Sequence, residues 1–221
     1  MSKDRKRNTK SRKSKRVILV AYEGDNKTEK DYFNNFSGRD KDYIIKSVPG
    51  NETDPVSLVR QTIKKVDDLA LDLTDDDKAY CVFDTDIKKE KNKQIIDAIK
   101  LSKENSIIPI VSAPCIELWF LLHYNYSTAQ ISSSNVIKKL EKYYPKYKKN
   151  CDIYKDIKDK TKTAIHNSKK LEKYHLQNKK TLQMVETNPY TEVYKIVEEL
   201  IKWLKTNSIR NVTYTLLITT S

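Results

Sequence analysis

Val17-Ile18-Leu19-Val20-Ala21-Tyr22 is a continuous apolar run that stops at Glu23-Gly24-Asp25, and Ala79-Tyr80-Cys81-Val82-Phe83 is a second that stops at Asp84-Thr85-Asp86. Such short runs, bounded by polar turn residues, read as strands buried on both faces. Helical patterns follow each of them. Asn26 with Glu29 resembles a capping box and opens a helix carrying Tyr32, Phe33 and Phe36. Residues 43–48 form a second strand in this reading, and Pro49-Gly50-Asn51 a turn. Asp54 before Pro55 is an N-cap followed by a first helical residue, after which Val56, Val59, Ile63, Val66 and Leu69 recur on one face.

The rest of the chain extends the pattern and then breaks it. A helix near 92–103 is expected to turn Ile95, Ile96 and Ile99 inward. Residues 107–111 read as a fourth strand, and Pro114-Cys115 leads into a strongly apolar helix over 116–122. Alternating strands and helices predict a parallel sheet of about four strands with right-handed crossovers, an α/β fold. From about residue 126 the chain becomes helical and rich in Lys and Tyr. The last helix begins after Pro189, is capped by Thr191, and places Val193, Ile196, Val197, Leu200, Ile201 and Leu204 on one face. Residues 212–218 are apolar and β-branched enough for a further strand. The expected organisation is a basic tail over 1–15, an α/β core over 16–125 and a helical, lysine-rich extension over 126–221.

Charge is unevenly placed. The net charge is +13, yet residues 1–16 hold nine Lys/Arg against one Asp, and residues 138–180 hold fifteen Lys against five Asp/Glu. The remainder is net acidic, so a polyanion-binding surface and an acidic working half are separated along the chain. Tyr143, Tyr144, Tyr147 and Tyr154 interleave with the lysines, in a pattern that suits either base stacking or helix packing under snorkelling lysines. Cys81, Cys115 and Cys151 form no close pair, and His123, His166 and His175 have no metal-ligand spacing, which argues against a disulfide scaffold or a zinc site. No apolar stretch reaches membrane-spanning length and no secretory leader is read, so a cytoplasmic protein is expected.

Glu23 and Asp84-Thr85-Asp86 occupy equivalent places, just past the ends of two strands. In a parallel sheet all strand C-termini share one edge, and that edge hosts ligand sites. Glu117, soon after the fourth strand, points to the same edge. Carboxylates gathered there repel one another unless a cation compensates, and hard oxygen donors suit Mg²⁺ or Mn²⁺. Taken singly, each acid fits a turn or cap equally well.

These residues resemble a known family. Val20-Ala21-Tyr22-Glu23-Gly24 with Thr28-Glu29 and Tyr32-Phe33, Val82-Phe83-Asp84-Thr85-Asp86, the segment from Pro114 to His123, and Asn188-Pro189-Tyr190-Thr191 before the last helix are together similar to the RloB (AbiLii-like) family of prokaryotic defence proteins. The resemblance implies a Toprim-like fold, in which a glutamate after the first strand and an Asp-x-Asp after the third serve metal-assisted phosphoryl chemistry. It carries those roles onto Glu23, Asp84 and Asp86. The third alternate Asp of the Toprim pattern is replaced here by Lys88, and Glu117 is the candidate to take its place as a ligand. The resemblance also implies an ABC- or AAA-type ATPase partner.

Two functions follow as expectations. The first is a Mg²⁺- or Mn²⁺-dependent nuclease of an antiviral, abortive-infection system, cutting RNA (tRNA included) or DNA, with Glu23, Asp84, Asp86 and Glu117 as catalytic and metal-binding residues. The second is a non-catalytic partner subunit of an ATPase complex. Self-association stays open at this stage. The basic tail offers no apolar face, so deleting residues 1–15 is expected to leave the melting temperature in place while flattening the salt dependence of nucleic-acid binding. Thermal melts and binding titrations over a salt series check both halves of that expectation.

Overall fold

The structure is a computed structural model that describes residues 15–24, 27–39, 41–50, 54–85 and 91–203. Within these residues the chain forms β1 (Arg16–Tyr22), α1 (Lys27–Asn34), β2 (Tyr43–Pro49), α2 (Pro55–Asp68), β3 (Lys78–Asp84), α3 (Lys91–Glu104) and β4 (Ile108–Ala113). Then follow α4 (Glu117–Leu121), α5 (Ser133–Tyr143), α6 (Tyr154–Ile157), α7 (Thr161–Gln177), β5 (Tyr190–Thr191) and a last helix, α8, over 193–203. The expected mixed α/β architecture is what the structure has. Among the described residues, five strands form one sheet in the order β2-β1-β3-β4-β5.

β1 to β4 are mutually parallel where they pair, with Tyr22 opposite Val82 across β1 and β3 and Asp84 opposite Ser112 across β3 and β4. The chain leaves β1 in one direction to reach β2, then returns across β1 to β3 and continues to β4. With crossover handedness fixed, that reversal sends α1 to one face and α2 and α3 to the other. The core obeys this. Leu19 and Ala21 pack with Leu58, Val59, Cys81, Phe83, Ile95 and Ala98 under α2 and α3. Ile18, Val20 and Tyr22, alternating with them along β1, pack with Tyr32, Phe33, Tyr80, Val82 and Trp119 on the opposite face.

Helix α2 begins as its sequence predicts: the Asp54 carboxylate accepts a hydrogen bond from the Ser57 amide at 2.8 Å, and Pro55 follows in the first turn. Its apolar stripe faces the sheet as expected, Val59 being buried and Val56, Ile63, Val66 and Leu69 packing against the same cluster. In α3 one expectation fails. Ile95 is buried, but Ile96 is 47% exposed. The inward stripe is Ile95, Ala98, Ile99 and Ser102, the spacing of a single helical face, and Ile96 lies one residue, or about 100°, off it. Residue 204 and the expected strand over 212–218 lie outside the described residues, as does the Asn26 cap of α1.

Helices α4 to α8 cover the α1 face. Val136, Leu140, Tyr147, Ile157, Ala164 and Leu171 share a core with Val20 and Trp119, so the lysine-rich segment is packed onto the sheet. The ring N–H of Trp119 donates to the Tyr32 hydroxyl at 2.7 Å, tying α4 to α1. The sheet also gains a strand that alternation did not foresee: β5 pairs antiparallel to β4, Ser112 opposite Thr191. The Thr191 hydroxyl accepts from the Val193 amide at 3.3 Å, one residue ahead of the N-cap position expected of it, which Glu192 holds.

Glu192 anchors that junction. It is 1% exposed, and its carboxylate accepts from the Val111 amide at 3.0 Å, the Gln183 amide at 2.8 Å, the Tyr190 hydroxyl at 3.1 Å and the Lys195 ammonium. Removing it leaves the Val111, Gln183 and Tyr190 donors without this acceptor, while the exposed Lys195 ammonium is left to water. Glu192→Ala is therefore expected to lower unfolding free energy by roughly 2–4 kcal/mol, and Glu192→Gln by less, as measured by urea denaturation.

Candidate functional site

β1 and β3 are neighbours, and the connections leaving their C-terminal ends go to opposite sides. Such a reversal opens a crevice at the strand C-termini where α/β folds bind ligands. A cavity of about 300 Å³ lies there, lined by Glu23, Gly24, Thr28, Glu29, Asp84, Cys115, Ile116, Glu117, Ser133, Ile137 and Lys149. Gly24 takes a left-handed turn (φ +69°) directly after Glu23, a conformation that costs glycine least.

Of the four carboxylates singled out in the sequence, three meet in this cavity. Glu23 follows β1, Asp84 ends β3, and Glu117 opens α4. A Glu23 carboxylate oxygen accepts from the Asp84 amide at 3.3 Å, so the two strand ends are tied across the crevice. Glu117 is 5% exposed and accepts from the Tyr147 hydroxyl at 3.1 Å. The fourth, Asp86, lies outside the described residues, as does Lys88.

A fourth carboxyl in the cavity was not singled out. Glu29, in the first turn of α1, is 4% exposed, and its Oε2 has no hydrogen-bond partner. The sequence showed it as half of a capping box, which explains a glutamate there without a cavity. Burial pushes its pKa up to about 8, with the charges of Glu117 and Glu23 adding to the rise while Lys149 and its own backbone N–H oppose it. Lys149 is exposed on the rim.

The cavity's other reactive group is inert. Burial, then the charges of Glu117 and Asp84, hold the Cys115 thiol well above its ordinary value, so it is no thiolate nucleophile. The histidines stand apart from the lining. His123 is buried against Trp119, bonded through Nδ1 to the Trp119 carbonyl at 2.9 Å, and burial lowers its pKa to about 4. His175 contacts the Pro189 carbonyl through Nε2 at 2.9 Å, and His166 is exposed.

The oxygen donors suit a hard divalent cation in kind: four carboxyl groups with the Thr28 and Ser133 hydroxyls, in a partly open cavity, one carboxyl having a buried unpartnered oxygen. They are not drawn together in advance. Among the described residues no group of three or more His, Cys, Asp or Glu is close enough to hold a metal ion as it stands. The cavity thus combines carboxylates from separate elements, a buried carboxyl that keeps its proton and a cation at its rim.

The Glu29 shift has a definite sign. Below pH 4.5 its carboxyl is neutral folded and unfolded; between about 4.5 and 8 the unfolded chain ionises while the folded one keeps its proton. Stability in EDTA is thus expected to fall across that window by an amount on the order of a few kcal/mol. Glu29→Gln should remove most of the slope and melt higher than wild type near pH 8. Chemical denaturation at a series of pH values measures it.

The family described as RloB-like protein matches this chain over residues 18–200. Comparison with curated proteins and with solved structures returns no match. The matched span opens within β1, takes in every carboxylate of the cavity, and ends within α8, so the chain belongs to the RloB-like protein family.

Proposed function

We propose that the protein is a Mg²⁺- or Mn²⁺-dependent phosphodiesterase that cleaves nucleic acid through this cavity. The observation that carries the reading is the convergence of Glu23, Asp84 and Glu117, from three separate elements, on one cavity at the β1/β3 crevice. Membership in the RloB-like family agrees with it. The Toprim-like character of the fold, a role in antiviral abortive infection, a cytoplasmic location and an ABC- or AAA-type ATPase partner belong to the same proposal. No helix among the described residues is long and apolar enough to cross a membrane.

Asp84 and Glu117, with Asp86, are the residues that would hold the ion. When bound, it neutralises charge on the scissile phosphate and lowers the pKa of a coordinated water. Glu23, half-buried and oriented by the Asp84 amide, is placed to accept a proton or to join the ligand set. Tyr147 positions Glu117 by donating to it. Lys149, at the rim, attracts the phosphate backbone. The wide setting of the carboxylates favours a second reading, a non-catalytic subunit that borrows the same fold as a scaffold.

Incubating the protein with total RNA and with plasmid DNA in Mn²⁺, with and without an ABC- or AAA-type ATPase supplied as the proposed partner, decides between the two. Cleavage is expected for the wild type and its loss in Glu23→Ala and Asp84→Asn. In EDTA, Asp84→Asn should melt at or above the wild-type temperature, since it removes a like charge from the cavity. No cleavage by the wild type in any of these conditions, or metal affinity indifferent to these carboxylates, would leave the scaffold reading in place, and undiminished cleavage by both variants would overturn the assignment of the site.

A further inference from the structure

Tyr143, Tyr144, Tyr147 and Tyr154 interleave with the lysines of 138–180, and the structure separates their roles. Tyr147 is buried and bonded to Glu117, and Tyr154 packs edge-on against Tyr32 and Phe36. Tyr144 is half-buried and donates to Asp156 at 2.8 Å. Tyr143 differs: at the end of α5 it is 46% exposed. Its ring lies nearly parallel to that of Tyr124, 11° apart with centroids at 5.5 Å, and the Asn125 amide donates to its hydroxyl at 3.1 Å. An exposed ring is thus held flat and in place by two neighbours from the segment after α4.

The surroundings are cationic. The Lys160 ammonium sits 4.1 Å from the centre of the Tyr124 ring, and that of Lys170 sits 4.2 Å from the centre of Tyr126. Lys139 is one helical turn before Tyr143 on the same face of α5, and all three lysines are exposed. Asp156 and Glu141 are the acids nearby, and the segment 138–180 as a whole carries fifteen Lys against five acids. α5 also reaches the carboxylate cavity: Ser133 and Ile137 line it, and Tyr143 lies about 9 Å further along the helix axis.

We propose that Tyr143, backed by Tyr124, with Lys139 on its own helix face and Lys160 against the Tyr124 ring, is a stacking platform for a base of single-stranded nucleic acid. The ring takes the base face and the lysines take flanking phosphates. A duplex cannot use it, because its base faces are already occupied by neighbouring pairs. The site deepens the nuclease reading by naming a single-stranded substrate, and as a bearing on substrate choice it rests on that reading, although the binding itself needs no cleavage.

The test is binding in EDTA, where no metal-dependent cleavage occurs, using fluorescently labelled oligouridine, oligothymidine, an abasic strand of the same length and a duplex. Both single strands are expected to bind more tightly than the abasic strand and the duplex; a preference between oligouridine and oligothymidine assigns the site to RNA or to DNA. Tyr143→Ala should weaken oligonucleotide binding about tenfold while Tyr143→Phe stays near wild type. Lys160→Ala should reduce the salt slope. Wild-type affinity for the abasic strand equal to that for the oligonucleotides, or equal affinity for the duplex, overturns the platform, and so does unaltered binding by a folded Tyr143→Ala. The abasic comparison uses the wild-type protein, so it stands even if a variant fails to fold. A protein that discriminates against the abasic strand yet cleaves nothing overturns the nuclease reading alone.

Discussion

The parallel pairing of β1 with β3 is the constraint on which the rest of this molecule depends. It sets two strands side by side although about sixty residues separate them, and it forces the connections at their C-terminal ends to diverge. The crevice between those connections is the candidate site. The backbone amide of Asp84 and the carboxylate of Glu23 meet across it because the ladder below holds Tyr22 opposite Val82. The same divergence distributes the helices, α1 to one face and α2 and α3 to the other, and each face then acquires its own apolar cluster.

The cavity above that ladder concentrates carboxyl groups where solvation is poor, an arrangement unfavourable to folding by itself. The structure offsets it in several ways. Glu23 and Glu117 each accept a hydrogen bond, Lys149 lies at the rim, and Glu29 holds its proton at neutral pH. A carboxyl kept buried with an unpartnered oxygen works against stability, and such costs gather at sites that serve binding or chemistry.

The α1 face also shows why the segment after residue 126 is inseparable from the sheet. Trp119, Tyr32 and Leu171 come from three helices and Tyr147 from the loop between α5 and α6, all in one apolar cluster, and the buried Glu192 ties β5 and α8 to β4 through the Val111 backbone. What remains outward on these helices is lysine and a few aromatic rings, Tyr143 foremost among them. Packing thus sorts a compositionally uniform Lys/Tyr stretch into core-facing tyrosines, half-buried ones such as Tyr144 and Tyr174, and Tyr143, which is presented to solvent.

Strands β1 to β4, helices α2 and α3, the Asp54 cap and the meeting of Glu23, Asp84 and Glu117 were legible in the sequence. They depend on local periodicity and on the rule that parallel strands end on a common edge, both readable in linear order. β5 was not legible, because a two-residue strand has no period and exists only through its pairing with β4. Ile96 misled, since three isoleucines in a short helix do not reveal which face is turned in until the sheet beneath it is placed. Glu29 and Lys149 entered the site unannounced: a helix-capping position and a lysine-rich loop explain them locally, and their approach to one cavity is decided by how α1 and the chain after α5 dock. The sequence by itself determined the α/β plan and which strand ends carry acids. Only the tertiary structure decided which of its many charged and aromatic side chains share a cavity, because that depends on contacts between elements a hundred or more residues apart, where hydrophobic packing rather than local pattern sets the position.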